Sequence, residues 1–256
     1  MKYLFLVLLI IMSDKSFSQQ GTFVIATITK NGIVIGADSR GVVYESDDHS
    51  KLPLVFFDSM CKVFKIKQFG MAVVGASVIG NKSFKKVIED FNAEFKTDSS
   101  LLNTLNGFIK HLDIKYPKDS FPERNSNQFV VGGYVNGTAQ IIGIDSVHTV
   151  IEYTGTIMSD PAGFKYGKRQ SSSDYDWIES IIEDYAIGEN KTLSVGGPVS
   201  IILITPKNEI IWERNNFSDR KYQSTSEFYE AVKNDKIKMN YLVPDGKERL
   251  LKVLRH

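Results

Sequence analysis

Cysteine is nearly missing from this chain: Cys61 is the one cysteine in 256 residues. One cysteine cannot close an internal disulfide, and four scattered histidines offer no metal-ligand spacing. Neither a cross-linked scaffold nor a metal or other cofactor is expected. Cys61 sits between Met60 and Lys62 in an apolar run, a setting where a free cysteine packs as a small hydrophobe. An excess of one charge is lacking too, since 31 basic and 30 acidic residues leave a formal charge of +1 with no long run of either sign. That balance builds no field for nucleic acid or an anionic membrane surface, and both partners are set aside. Repeats, low-complexity tracts and Pro/Gly-rich linkers are also absent, so nothing divides the chain. What remains is globular composition, 42% hydrophobic and 24% charged, at a length that buries a sizeable core unaided.

Long hydrophobic runs are missing except at the start. Lys2 precedes the run Tyr3-Leu4-Phe5-Leu6-Val7-Leu8-Leu9-Ile10-Ile11-Met12, and a polar stretch with Ser16 and Ser18 follows. This is the n-region, h-region and small-residue pattern of a secretory signal, and the run is short for a bilayer span. Cleavage is expected after Ser18, making residues 1–18 a signal peptide and the mature protein exported, periplasmic or secreted, with no membrane attachment. An uncleaved anchor or a buried first element is the alternative.

Beyond residue 21 the patterning alternates between strand-like and helix-like blocks. Residues 22–30 and 33–37 are rich in β-branched residues and flank Asn31-Gly32, which predicts a hairpin with a type I′ turn. Residues 41–58 read as a loop around Asp47-Asp48-His49-Ser50, and 62–67 with 71–77 as a second strand pair joined around Gln68-Phe69-Gly70. Phe84, Val87, Ile88, Phe91 and Phe95 recur at helical spacing, as do Leu101, Leu105, Phe108, Ile109 and Leu112, before Pro117. Strands are expected again at 129–135, 140–144 and 149–153, a helix at 174–186, and strands at 200–205 and 209–212. The tail from residue 226 looks helical in parts, with a break at Pro244-Asp245-Gly246. Strands and helices grouped in blocks predict an α+β fold of antiparallel sheets, two of them stacked with helices on both outer faces.

The stretch Gly21-Thr22-Phe23-Val24, turn glycine Gly32 and Ala37-Asp38-Ser39-Arg40 resembles the start of proteasome β subunits, members of the N-terminal-nucleophile (Ntn) hydrolase superfamily. Gly32 lies ten residues after Thr22 and Asp38 sixteen after it, without a gap against the family pattern. Lys62-Val63-Phe64-Lys65-Ile66 resembles the family's lysine strand after an insertion of about eight residues in the loop at 41–58. Met71-Ala72-Val73-Val74-Gly75-Ala76 resembles the strand ending in its oxyanion glycine, and Val195-Gly196-Gly197 its Ser-Gly-Gly loop. Motif density is good over residues 22–80, whereas over 128–212 the agreement is one of pattern.

The resemblance implies a four-layer αββα sandwich and a threonine-type hydrolase of peptide bonds, with 22–256 as a single domain and 19–21 as a short propeptide. Its catalytic set would be Thr22, Asp38, Lys62 and Gly75, and Met60, Val73 and Ser77 would line the specificity pocket, Val73 favouring apolar side chains. A threonine hydroxyl needs an adjacent base, and a chain-terminal α-amine, with a usual pKa of about 7.7–8.0, is one. A buried Lys62 ammonium would push that amine toward its neutral form, and Asp38 would be the counter-ion. The Gly75 N–H would donate to the developing oxyanion. Thr22 would be exposed by its own attack at Gly21, a residue able to take the strained turn that an N→O acyl shift needs.

In family members an aspartate and two serines also flank the threonine. In this register they fall on Thr192, Val195 and near Phe129 and none is retained, with Ser194 or Asn190 as substitutes after a small shift, so the resemblance implies a differently tuned amine and a weaker or narrower activity. An amidase of a small acyl-amide with the same nucleophile, and a catalytically silent sandwich used for binding or assembly, are the rival readings. A homo-oligomer fits any of the three, and ring assembly is not legible.

Overall fold

The computed structural model describes residues 22–43, 55–58, 61–76, 78–80, 82–96, 100–153, 155–160, 163–167, 199–214 and 240–241, with residues 175, 177, 178, 181, 182 and 195 between them. In chain order the strands begin with β1 (Val24–Ile28), β2 (Ile33–Ala37), β3 (Arg40–Val43), β4 (Val55–Asp58), β5 (Val63–Ile66), β6 (Phe69–Val74), β7 (Val78–Ile79) and β8 (Lys82–Ser83). Helices α1 (Phe84–Glu94) and α2 (Leu101–Lys115) follow, then a 3-10 turn at Pro122–Ser126. The later strands are β9 (Gln128–Val135), β10 (Thr138–Ile144), β11 (Val150–Tyr153), β12 (Thr156–Asp160), β13 (Gly163–Gly167), β14 (Ser200–Ile204), β15 (Ile210–Arg214) and β16 (Asn240–Tyr241).

Two antiparallel sheets dominate, one ordered β13-β12-β1-β2-β14-β15 and the other β11-β10-β9-β6-β5. They face each other across a cluster built from alternate residues of both. Val24, Ala26, Ile33, Ile35, Ala37, Ile202 and Ile204 come from the first sheet, and Val63, Ala72, Val74, Val130 and Ile141 from the second. The period of two along each strand puts the remaining residues on the opposite faces. Phe64, Met71, Val73 and Phe129 thus pack against the apolar stripes of α1 and α2. Ser83 and Ser100 start those helices by accepting hydrogen bonds from Lys86 N and Asn103 N. On the other side, Phe23, Ile25 and Val34 pack against Trp177, Ile178 and Ile182, which are helical, as are Tyr175 and Ile181.

Local structure departs from sequence expectation at three places. The turn at Asn31-Gly32 is not type I′: Lys30 and Asn31 are its central pair, because Thr29 Oγ1 accepts from Asn31 N and donates to Gly32 O. Gly32 has φ +147 and lies so close to Ile204 O that a Cβ would sit 2.3 Å away. Positive φ at two successive residues occurs instead at Asn136 and Gly137, between β9 and β10. The expected loop at 41–58 contains two strands, β3 and β4, which pair from Arg40↔Asp58 to Val43↔Val55, with β16 beyond β4. Their Val and Phe residues favour a pleated surface, and the polar centre between them masked it. Strands β12 and β13 carry little alternation and escape sequence reading, yet β12 pairs with β1 from Val24↔Ser159 to Thr27↔Thr156. The expected segment at 226–239 and the break at Pro244-Asp245-Gly246 lie outside the described residues, as do the other parts of the expected helix at 174–186.

Candidate active site

The site starts as an extension of the first hairpin. The β1–β2 register runs from Ile28↔Ile33 to Val24↔Ala37, and one further bond, Asp38 N to Phe23 O at 3.2 Å, carries it past the strand ends. Phe23 therefore lies across from Asp38, and Thr22 and Ser39 are the next residues outward on each strand. The Asp38 carboxylate turns back on this ladder. Its Oδ1 accepts from Phe23 N at 2.9 Å and from Lys62 Nζ at 2.9 Å, while Oδ2 accepts from Arg40 N at 3.1 Å. A carboxylate with three such donors is a strongly held anion.

Lys62 arrives from the other sheet. It immediately precedes β5, and its carbonyl accepts from Val73 N at 2.9 Å, which fixes its backbone beside the end of β6. The Lys62–Asp38 pair thus ties the two sheets together at one end of the sandwich, with side-chain exposures of 1% and 0%. Each charge compensates the other where water cannot.

Thr22 is fully buried, and its Oγ1 has no hydrogen-bond partner among the described residues. The hydroxyls of Ser39 and Ser200 share that condition. Ser200 opposes Ala37, which opposes Val24, so these three form one row on the inter-sheet face. Thr22 and Ser39 lie two residues beyond Val24 and Ala37. Buried polar groups almost always find partners. Thr104 Oγ1 in α2 is a further unpaired hydroxyl among the described residues, but the grouping of three near one sheet end is what makes this end the candidate site. Ser39 stands inside the Asp-Ser-Arg motif and Ser200 opens a strand, but only the cross-strand register relates them to Thr22.

Gly75 follows β6 with φ +107, and a Cβ there would lie 2.6 Å from Ser126 O. The position accepts glycine alone. Sequence reasoning missed Asn127, a buried residue ahead of β9. Its Oδ1 accepts from Ala76 N at 3.2 Å and its Nδ2 donates to Ala76 O at 3.1 Å.

The structure therefore gathers Asp38, Lys62 and the Thr22–Phe23 peptide at one carboxylate oxygen, with Gly75 two residues beyond the strand position that bonds Lys62. Val73 packs in the helix-side cluster at 4% exposure. Met60 and Ser77 lie outside the described residues, as do Thr192, Ser194, Asn190 and the Gly196-Gly197 pair. Val195 is buried with Phe23, Ile25 and Trp177, and Phe129 packs against Phe84 and Phe108 on the helix side of its sheet. Neither position carries a polar group. Burial pushes the Cys61 thiol up to about 11, and its Sγ donates to Val63 O, so it is no ready thiolate. Among the described residues no group of three His, Cys, Asp or Glu side chains converges as metal ligands would.

Among the solved structures similar to this chain is Anbu, as a Gly-1 mutant, from Hyphomicrobium sp. strain MC1, a bacterial proteasome-like protein of the Ntn hydrolase fold. It aligns over 77% of this chain and 89% of that one, with a TM-score of 0.50 and 12% identity. The fold is proteasome-like. At that identity the likeness speaks to the fold alone. No protein-family model matches the sequence, and neither does any curated protein. The proteasome-like fold brings an Asp–Lys pair and an unpaired threonine hydroxyl to one end of two stacked sheets, a set able to perform nucleophilic chemistry once a base stands beside the hydroxyl.

Proposed function

We propose that this chain is a threonine-type Ntn hydrolase with the four-layer αββα arrangement, cutting amide bonds in peptides through an acyl-Thr22 ester. One observation carries the proposal: Oδ1 of Asp38 holds both Lys62 Nζ and the amide that follows Thr22, each at 2.9 Å. The buried, unpartnered Thr22 Oγ1 beside that pair supports it further. In the proposed cycle the α-amine of Thr22, freed by cleavage after Gly21, takes the Oγ1 proton as Oγ1 attacks the scissile carbonyl. The Gly75 N–H donates to the oxyanion, and collapse expels the amine product, which leaves with that proton. Water then attacks the ester, losing a proton to the α-amine. Acid is released and the hydroxyl of Thr22 is restored.

Export after cleavage at Ser18, self-processing at Gly21 and a homo-oligomeric state belong to the same proposal. Substrates would be short or already unfolded peptides; the apolar leading residue rests on the resemblance at Val73, whose side chain is packed in the helix-side cluster. A peptide epoxyketone tests it, because ring closure on that reagent needs both the hydroxyl and the free amine of one terminal threonine. The expected result is a mass shift mapping to Thr22, stronger with an apolar than with a basic leading residue. No adduct on protein that begins at Thr22, after hours at high reagent, would sink the peptidase reading in favour of a small-amide hydrolase or a silent sandwich.

A further inference from the structure

Gly75 is held from both sides, and the outer hold is a side chain from elsewhere in the chain. On its inner side, Val74 pairs with Gln128 at the end of the β6–β9 ladder. On its outer side, both backbone groups of Ala76 are taken by the Asn127 carboxamide, 51 residues away in sequence, at 3.2 and 3.1 Å. The amide imitates one more rung of the ladder after the strands have parted. Asn127 is buried at 4% and is anchored in turn. It ends the 3-10 turn, where its N–H donates to Arg124 O. The buried Arg124 guanidinium donates to the Leu112 and Tyr116 carbonyls and pairs with Asp113, fastening that turn to the end of α2.

A glycine at φ +107 is free to leave that conformation unless its neighbours prevent it. From this geometry we infer that Asn127 is a positioning residue: by clamping Ala76 it keeps the Gly75 N–H aimed at the oxyanion of the substrate. The inference rests on the hydrolase reading given above, in which Gly75 is the oxyanion donor.

Turnover of a fluorogenic apolar peptide tests it, counted per Thr22 titrated to completion by the epoxyketone, so that unfolded or unprocessed protein does not enter. In Asn127→Ala, kcat per titrated site should fall about 100-fold, the scale of a misplaced reacting group, with KM little changed. In Asn127→Asp the ionised carboxylate still accepts from Ala76 N but repels Ala76 O, and the protonated acid donates to it. Burial raises the pKa of such a carboxyl, so the ratio of variant to wild-type turnover should climb as pH falls from 8 to 6. Both variants turning over at the wild-type rate per titrated site, or a flat ratio across pH, would make Asn127 structural only and overturn the inference. If the unsubstituted protein itself shows no titratable Thr22, the hydrolase reading fails first and this one falls with it.

Discussion

Asp38 and Lys62 are in contact at 2.9 Å with neither side chain more than 1% exposed, and each adjoins a strand of a different sheet, β2 and β5. Removing one partner of a buried pair strands the other charge. Lys62→Ala is therefore expected to lower stability by about 3–5 kcal/mol, read from urea midpoints, and to abolish turnover. The double change Asp38→Asn with Lys62→Met removes both charges at similar volume. It should recover most of the stability and none of the activity. Near-normal rates in Lys62→Met would assign the lysine to structure alone.

Thr22→Ala should leave the chain starting at Gln19 after signal removal, because in the proposed processing the hydroxyl would perform the acyl shift at Gly21. Intact-mass analysis of the exported fraction reads both steps. Met1 retained there would reject the signal, and a terminus at residue 22 in the variant would hand processing to another protease.

Ser200 Oγ is buried and unpaired among the described residues, a condition that costs about 1–3 kcal/mol. Ser200→Ala should raise stability by about 1 kcal/mol while lowering turnover, the trade expected where a site keeps a polar group for function. A loss of stability would mean that the hydroxyl is satisfied after all.

Burial holds the His111 pKa below its usual value, with Glu94 opposing the shift and Lys115 adding to it. Its Nδ1 lies 3.6 Å from Glu94 Oε2, and Phe91 and Tyr116 flank the ring. The unfolded chain therefore binds the proton first as pH falls. Stability should be full above the ordinary histidine pKa of about 6.5 and decline below it, toward the lower folded value. His111→Gln should flatten the slope of thermal midpoint against pH between 5 and 7. His148, lowered by burial as well, adds to that slope, so a matching His148→Gln measurement divides it. An unchanged slope in both variants would contradict the assignment.

Much of this was legible in the residues alone. The stripe Phe84, Val87, Ile88 and Phe91 announces α1, and Ser83 caps it, because helical spacing and capping are local. The meeting of Phe23 with Asp38, and with it the place of Thr22 one residue further out, belongs to the hairpin: residues equally far from one turn must meet, and Asp38 N does bond Phe23 O. Even there the turn itself was misjudged, since a Thr29 hydroxyl and the approach of Ile204 outweighed the intrinsic preference of Asn31-Gly32. Which distant segments join the hairpin is a different kind of question. Lys62 reaches Asp38 because two sheets bury their apolar faces on each other, and alternation in β5 tells which face is apolar but not what covers it. Ser200 enters the row of Ala37 and Val24 through strand order, and Asn127 reaches Ala76 through the end of a helix and the turn after it. Spacing along the chain determined the local pieces, while the resemblance to proteasome β subunits named Thr22 and Asp38 as catalytic candidates. Only the packing of one sheet on the other, a choice made by total buried surface rather than by any short segment, decided what stands beside Thr22.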